Sequence, residues 1–329
     1  MRTLPHDRSH LLWEGGEARG GEGSDSASGG SPTALFLASI DRWVDAMVSD
    51  EHGGGVSSAA AESQLVHGRV RAKAAGLIAG CSVGDRLVER HFSECTLEWE
   101  VSEGEKVASG DAVLSLSGPA GQVLRCERIL LNLLGRISGI ASHTADWVGS
   151  AGSMGVACTR KTEWGLLDKW AVHVGGGLTH RLSRADALMI KENDLAALAP
   201  GVSDEASAIA AAVATIDMEA DAAFTVVEVR NEAQAIAAAG AWAENQVERA
   251  GVERIVLLLD NMGPQACAAA AERLVVEGLR AWCILEGSGG VSRAELADWV
   301  ASGVDLVSTS ALNRGVAPLD LSMRIEGGE

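Results

Sequence analysis

From Met154 onward the chain alternates short apolar, β-prone runs with helical stretches, and this rhythm limits the possible folds more than any other feature. The runs are Met154–Thr159, Ala187–Ile190, Thr225–Val229, Arg254–Leu259, Ala281–Leu285 and Asp305–Ser308. Continuous hydrophobic strands separated by helices form parallel sheets, because each crossover lays a helix over a sheet face. Several helix ends are legible: Asn231 with Gln234 and Ser292 with Glu295 have capping-box spacing, Pro264 suits a first turn, and Gly278 and Gly303 suit C-terminal stops. An open doubly wound sheet fits this rhythm too. A barrel is favoured by where the polar residues fall, since nearly every run ends in chemistry: Arg160-Lys161, Lys191-Glu192-Asn193, Glu228, Asp260-Asn261, Glu286 with Ser288, and Ser308-Thr309-Ser310. In a parallel α/β barrel the C-terminal strand ends converge on one mouth, where active sites sit.

Upstream the pattern differs. Residues 13–33 are rich in Gly, Ser and Glu without apolar period, a composition that cannot offset its own ordering entropy. Residues 1–33 are therefore expected to form a disordered, dispensable tail. A helix is expected near Leu35–Val48, from the stripe Leu35, Ile40, Val44 and Met47 or Val48. Strands follow at Leu65–Ala72, Thr96–Val101 and Ala112–Leu116, separated by turn clusters, and then a long helix at about Leu124–Val148. The expected division is a small domain over 34–149 that includes the long helix, a barrel over 150–311, and a C-terminal segment, 312–329, returning to the small domain.

Composition narrows the partners. The 329 residues include 45 acidic and 27 basic side chains, for a net charge of −18, which opposes non-specific nucleic-acid binding. The longest uncharged small-apolar stretch, Ala206–Ile216, falls short of the roughly 20 residues a bilayer crossing needs. Met1–Gly16 mixes Arg, His, Asp and Glu without an apolar signal region, so a cytoplasmic location is expected. The six cysteines show no C-x-x-C spacing and read as reduced, buried small hydrophobes.

Four cationic positions stand out: Arg160, Lys161, Arg181 and Lys191, with His180 beside one of them. Two lysines at strand ends are informative in a chain with only Lys73, Lys106, Lys161, Lys169 and Lys191. Such a group suits carboxylate and phosphate. Glu228 and Asp260 end successive strands; carboxylates so placed hold Mg²⁺, bind ribose hydroxyls, or stabilise positive charge developing on a sugar carbon. Gly287-Ser288-Gly289-Gly290 lies between a strand and the expected helix after Ser292, a place where bare backbone N–H groups bind phosphate. No G-x-x-x-x-G-K-[ST] and no G-x-G-x-x-G after a first strand is present, so P-loop and Rossmann readings gain no support.

The blocks CERILLNLLGRISGIAS, CTRKTEWGLLDKWAVHVGGGLTHRL, LMIKEND, VVEVRN, VLLLDNM and LEGSGGV, in this order, closely resemble the quinolinate phosphoribosyltransferase family. The resemblance runs from about Leu35 to Ile325. It implies a small N-terminal α/β sandwich domain plus an incomplete parallel, TIM-like α/β barrel. It also implies joining of quinolinate to phosphoribosyl pyrophosphate with Mg²⁺, giving nicotinate mononucleotide, CO₂ and pyrophosphate. By motif, Arg160, Lys161, His180, Arg181 and Lys191 surround the pyridine dicarboxylate and pyrophosphate, with Lys161 and Lys191 counted as catalytic. Glu228 and Asp260 face ribose and metal, Ser288, Gly289 and Gly290 cradle the 5′-phosphate, and Ser310 belongs to the same phosphate region. Arg128 resembles the residue that reaches a neighbouring subunit's site, which implies a homodimer, or a dimer-based oligomer, with shared active sites.

The chain departs from the family's usual pattern at several places. Glu163-Trp164 replaces Thr-Pro after TRKT, Thr179 replaces the Asn before His-Arg, Asp194 replaces a common His, Arg230 replaces a common acid, and Ser310 replaces a Gly. The extra acid at 163 and the extra base at 230 leave the pyridine substrate open. A sister phosphoribosyltransferase using nicotinate and a non-catalytic barrel binding a phosphorylated metabolite are the alternative readings.

Overall fold

The computed structural model describes residues 4–15, 30–52, 63–192, 194–195, 204–216 and 223–326. The chain divides into two compact units. One comprises Arg8–Asp146, Lys161–Thr179 and Leu312–Glu329; the other comprises Met1–Asp7, Trp147–Arg160 and His180–Ala311.

The first unit begins with β1 (Trp13–Glu14), paired antiparallel with β2 (Ser31–Pro32), and α1 (Ala34–His52) follows directly. Next come β3 (Leu65–Ala72), β4 (Gly76–Leu77), α2 (Cys81–His91), β5 (Thr96–Trp99), β6 (Lys106–Val107), β7 (Ala112–Pro119) and the long α3 (Ala120–Ala151). A four-stranded antiparallel sheet is built from β3, β7 and β5, and the C-terminal strand Leu321–Glu326 pairs with β3 at its edge. The expected return of the C-terminal segment is thus a β-ladder. It is also a close approach: a Cβ on Gly139 of α3 would stand 2.3 Å from the Ala317 carbonyl oxygen, and Leu319 N–H donates to the Gly135 carbonyl at 2.8 Å.

No helix is expected from the sequence at α2, although Val83, Leu87 and Val88 recur at helical spacing and are buried together with Gly84. That glycine faces Trp99, whose ring would lie 3.0 Å from a Cβ. The N-terminus of α2 has no side-chain cap of its own at Gly80. Glu103 caps it from a distant loop, accepting Gly80 N–H at 2.8 Å, Cys81 N–H at 2.7 Å and Trp170 Nε1–H at 2.8 Å. Burial pushes the Glu103 carboxyl up, against the pull of these donors.

Helix α4 (Leu166–Val174) also packs in this unit, so the division differs from an uninterrupted barrel over 150–311. The reason is Trp170, fully buried and in ring contact with Phe36 of α1 at 5.3 Å and with Trp13 at 5.1 Å. The expected disordered tail over 1–33 does not hold at residues 4–15. Leu12 is fully buried, Ser9–Leu11 forms a 3₁₀ turn, and Trp13 stacks on Trp170. Isolated anchors such as these have no period for a sequence pattern to register.

The second unit holds β8 (Gly155–Cys158), β9 (Leu188–Ile190), α5 (Glu205–Ala214), β10 (Thr225–Val229), α6 (Glu232–Glu248), β11 (Ile255–Asp260), α7 (Gly263–Val276), β12 (Cys283–Ser288), α8 (Leu296–Ala301) and β13 (Leu306–Thr309). Its six strands are parallel in the order β8-β13-β12-β11-β10-β9. First and last strands pair, as closure of a barrel requires, while β8 and β9 stand at the two edges of the ladder. This is the incomplete α/β barrel. Asn231 caps α6 as expected, accepting Gln234 N–H at 3.0 Å, and Gly278 and Gly303 both adopt positive φ. Ser292 does not cap a full helix. Its hydroxyl bonds the Glu295 side chain, and a 3₁₀ turn precedes the six-residue α8.

The close approach at Gly139 has a measurable consequence. Gly139→Ala should lower stability by about 2 kcal/mol, since a methyl group must displace backbone. Gly149→Ala on the same helix, with nothing within 4 Å of its added Cβ, should be neutral or slightly stabilising. Thermal unfolding of both variants tests the contrast.

Candidate active site

Strand register in the barrel unit decides which polar residues meet. Glu228 pairs with Leu258 and Leu258 with Glu286, while Asp260 pairs with Ser288 and Ser288 with Ser308. Side chains alternate along a strand, so Glu228, Asp260, Glu286 and Ser288 share one face. Gly287 marks the opposite face: a Cβ there would lie 2.4 Å from the Trp299 ring of α8. The helix layer covers that side, and the shared face is the interior. Lys191 follows β9 one residue past the Ile190–Val227 pair, level with Glu228. Glu228 and Asp260 are two residues out of register on neighbouring strands, roughly 8 Å apart at Cα.

Lys191 Nζ bonds Glu228, whose side chain is only 10% exposed against 48% for Lys191. Arg230 adds a second cation at 3.6 Å from Glu228 and pairs with Glu192 at 2.6 Å. The extra base at 230 is therefore absorbed by two carboxylates. Asp194 Oδ2 accepts the Lys191 backbone N–H at 3.0 Å, which ties the turn after β9.

Arg181 is buried, its guanidinium donating to the Ala187 carbonyl at 3.2 Å and lying 3.1 Å from Met189 Sδ. Its pKa is held below an arginine's ordinary value, first by burial and then by the positive charges of Arg160 and Arg184. Arg160 and Arg184 thus lie within electrostatic reach of Arg181, an arrangement that favours an anionic ligand.

Behind them sits Glu286, fully buried between two imidazoles. His180 Nε2 stands 3.1 and 3.2 Å from its two oxygens, and His6 Nε2 stands 3.1 Å from Oε2. Burial works against the charge, yet His180 and His6 hold this carboxyl well below the usual carboxylate range.

The Gly287–Gly290 loop owes its shape to two left-handed glycines, Gly289 at φ +93° and Gly290 at φ +63°. A Cβ on Gly289 would stand 2.3 Å from Asn261 Oδ1. Asn261 is itself at φ +56°, donates its N–H to the Ser288 carbonyl at 3.0 Å and its side-chain amide to Asp260 at 2.8 Å. With α8 short and preceded by a 3₁₀ turn, loop backbone rather than a helix dipole is what remains for phosphate.

Of the sequence candidates, Arg160, His180, Arg181, Lys191, Glu228, Asp260, Ser288, Gly289, Gly290 and Ser310 belong to the barrel unit. Lys161 and Arg128 belong to the other unit, both exposed, Arg128 on α3. In that unit Asp168, 1% exposed, accepts Arg136 at 3.0 Å, Glu163 N–H at 2.8 Å, Trp164 N–H at 3.3 Å and Asn313 Nδ2 at 3.0 Å. Asn313 Nδ2 also donates to the Lys161 carbonyl at 3.1 Å. This network shapes the loop after TRKT, and it accounts for Glu163-Trp164: Glu163 pairs with Arg136 at 2.9 Å, while Trp164 stacks on Trp43 at 5.4 Å beneath the Arg136 guanidinium. Sequence reasoning missed Asp168 and His6 altogether. Asp168 has a usable signal, an acid inside an apolar helix; His6, in an aperiodic stretch, has none.

An open parallel barrel with clustered guanidinium groups and inward carboxylates defines a barrel protein for a small, multiply anionic ligand. Comparison with known proteins gives the family. The model of the quinolinate phosphoribosyl transferase C-terminal domain matches residues 140–324, and that of the N-terminal domain matches residues 56–138. A probable nicotinate-nucleotide pyrophosphorylase (carboxylating) from Methanothermobacter thermautotrophicus is 33% identical over 258 residues, covering 77% of this chain and 85% of that protein. Its counterpart from Archaeoglobus fulgidus is 33% identical over 259 residues, covering 77% and 92%. The crystal structure of NadC from Streptococcus pyogenes superposes with a TM-score of 0.72 at 30% identity, covering 89% of this chain and 98% of that one. The chain belongs to the quinolinate phosphoribosyltransferase family.

Truncating the hub of the loop network should be costly. Asp168→Ala leaves Arg136 and two backbone N–H groups without their buried acceptor, and should destabilise the protein by roughly 3–5 kcal/mol. Denaturant titration against the parent chain measures this, and a loss below about 1 kcal/mol would contradict the assigned role.

Proposed function

We propose that this protein joins quinolinate to phosphoribosyl pyrophosphate, releasing CO₂ and pyrophosphate and forming nicotinate mononucleotide, a step of NAD biosynthesis. The observations that carry the reading are the electrostatic influence of Arg160 and Arg184 on buried Arg181, and the shared inner face of Glu228 and Asp260. Fixing two carboxylates of one ring calls for several cations, and a single carboxylate for fewer. Family membership supports the same activity.

In this reading Arg160, Lys161, His180 and Arg181 bind and orient the pyridine dicarboxylate, and Lys161 and Lys191 also meet the pyrophosphate. As the bond to pyrophosphate breaks, positive charge develops on the sugar carbon, and Glu228 and Asp260 stabilise it electrostatically. Attack by the ring nitrogen gives a pyridinium, whose positive nitrogen stabilises the carbanion left when the adjacent carboxylate departs as CO₂, and that carbon then takes a proton from water to give nicotinate mononucleotide. Most of the catalysis is orientation, with few proton transfers. Backbone N–H groups of Ser288, Gly289 and Gly290, with Ser310, hold the 5′-phosphate.

A Mg²⁺ fits this donor set. Asp260 offers oxygens on the interior face with only Asn261 bonded to it among the described contacts, while Glu228 is engaged by Lys191 and Arg230. Asp260 with Glu228 would hold the ion, which when bound neutralises pyrophosphate charge. Among the described residues, no helix is long and apolar enough to cross a membrane, and all six cysteines are free thiols, which supports action in the reducing cytoplasm.

The direct test is incubation of purified protein with phosphoribosyl pyrophosphate, Mg²⁺ and either quinolinate or nicotinate. CO₂ release with quinolinate is expected; product from nicotinate alone would replace the reading with a sister transferase, and no turnover of either would leave only a binding barrel. Arg160→Ala should lose roughly 2–5 kcal/mol of transition-state binding without loss of melting temperature, because Arg160 is exposed.

Arg128 is proposed to act in the active site of a partner copy within a two-fold dimer, where symmetry supplies both contacts at once. Arg128→Ala and Lys191→Ala, each inactive alone, should recover roughly a quarter of their sites when their subunits exchange. Demonstrated exchange without recovery assigns Arg128 to its own chain.

A further inference from the structure

We propose that the N-terminal segment is a working part of the pyridine subsite, with His6 a positioning residue that acts on His180 and Arg181 through Glu286. The inference rests on the reading that His180 and Arg181 face the pyridine acid.

His180 needs an external hold. Among the described residues it is one of three non-glycine residues with positive φ, at +51°, a conformation that side chains other than glycine rarely adopt. Its ring is anchored at both nitrogens. Nδ1 accepts the Arg181 backbone N–H at 2.7 Å, and Nε2 faces both oxygens of Glu286. A nitrogen that accepts a hydrogen bond carries no proton, so the ring proton of His180 sits on Nε2 and is donated to Glu286. The orientation of His180, and with it the turn that presents Arg181, therefore follows the position of the Glu286 carboxylate.

His6 sets that position. It is fully buried and occupies Glu286 Oε2 at 3.1 Å. Its ring packs edge-on against His180 at 4.8 Å and at a tilt against Phe224 at 5.1 Å. Without it, a buried carboxylate loses one of its two hydrogen-bonded imidazoles, and the His180 ring loses a wall. The same segment holds the neighbouring residue as well: Arg8 N–H donates to Thr179 Oγ1 at 2.8 Å. Thr179 is one of the positions where this chain departs from the family's usual Asn, so the departure coincides with a contact from residues that lie ahead of both matched domains.

Metal binding by His6, His180 and Glu286 is the competing use of these groups. Their ligand atoms spread over up to 4.8 Å. A zinc ion with bonds of about 2.1 Å keeps tetrahedral ligands roughly 3.4 Å apart, and each imidazole already lies at hydrogen-bond distance from the carboxylate. The distances favour a hydrogen-bonded cluster.

Steady-state kinetics on the full chain tests the proposal. His6→Ala should raise the KM for quinolinate roughly tenfold while leaving the KM for phosphoribosyl pyrophosphate within about twofold. His6→Gln, which keeps an N–H donor, should recover most of the loss, and added imidazole should restore quinolinate affinity to His6→Gly but leave the parent unchanged. These two rescues separate positioning from a general loss of packing. His180→Ala serves as reference. If it leaves the quinolinate KM unchanged, the assignment of the pyridine subsite fails; if it raises that KM and His6→Ala does not, the role of His6 fails. Equal changes in both KM values, no rescue by either route, or stoichiometric zinc in the purified protein would each overturn the proposal.

Discussion

In a parallel barrel, successive side chains of each strand point alternately to the helix layer and to the interior, and the rest of this site depends on that two-residue alternation. The helix layer admits no slack: at Gly287 it leaves no space even for a methyl group beside Trp299. With the outward positions committed to packing, Glu228, Asp260, Glu286 and Ser288 are driven to the same inner face by pairing register alone. A one-residue slip would turn these groups into the helix layer and Gly287 inward. Register is thus defended by the apolar core, and the chemistry inherits its geometry from packing.

Loops cannot inherit geometry in this way, and the molecule organises them around buried or half-buried carboxylates. Asp168 gathers two backbone N–H groups, Arg136 and Asn313; Glu286 gathers His6 and His180; Glu103 gathers the first N–H groups of α2 and the indole of Trp170. A buried carboxylate is strongly unfavourable unless each oxygen is satisfied. The few arrangements that satisfy it are therefore selected sharply, which makes such groups effective at specifying irregular backbone. The departures at Glu163, Trp164, Thr179, Asp194 and Arg230 are each matched by a local partner: an opposite charge for Glu163 and Arg230, an aromatic ring for Trp164, and a backbone N–H for Thr179 and Asp194.

Much of this was legible in the residues. The six β-prone runs, the long α3 and the strand-end polar groups follow from short-range periodicity, because apolar burial on one or two faces imposes a spacing of 2 or 3.6 residues. Helix α2 is only three turns long, and its apolar stripe rests on Val83, Leu87 and Val88 alone, with Gly84 on the same buried face against the Trp99 ring. The N-terminal residues escaped a reading by periodicity because Leu12, Trp13 and His6 anchor singly.

What the sequence determined by itself is the order of elements and the inventory of chemistry: parallel strands with helices between, cations and carboxylates at their ends, and a glycine-rich turn after β12. Local spacing and residue type suffice for that, since they act over a few residues. Tertiary structure alone decided which strands stand at the open edge of the barrel, that α4 packs with the unit of α1 through Trp170, and that a residue six positions from the start bonds a carboxylate 280 positions later. Those outcomes depend on contacts between residues far apart in the chain, whose energies come from burial and hydrogen-bond satisfaction in the folded state and leave no periodic trace in the sequence.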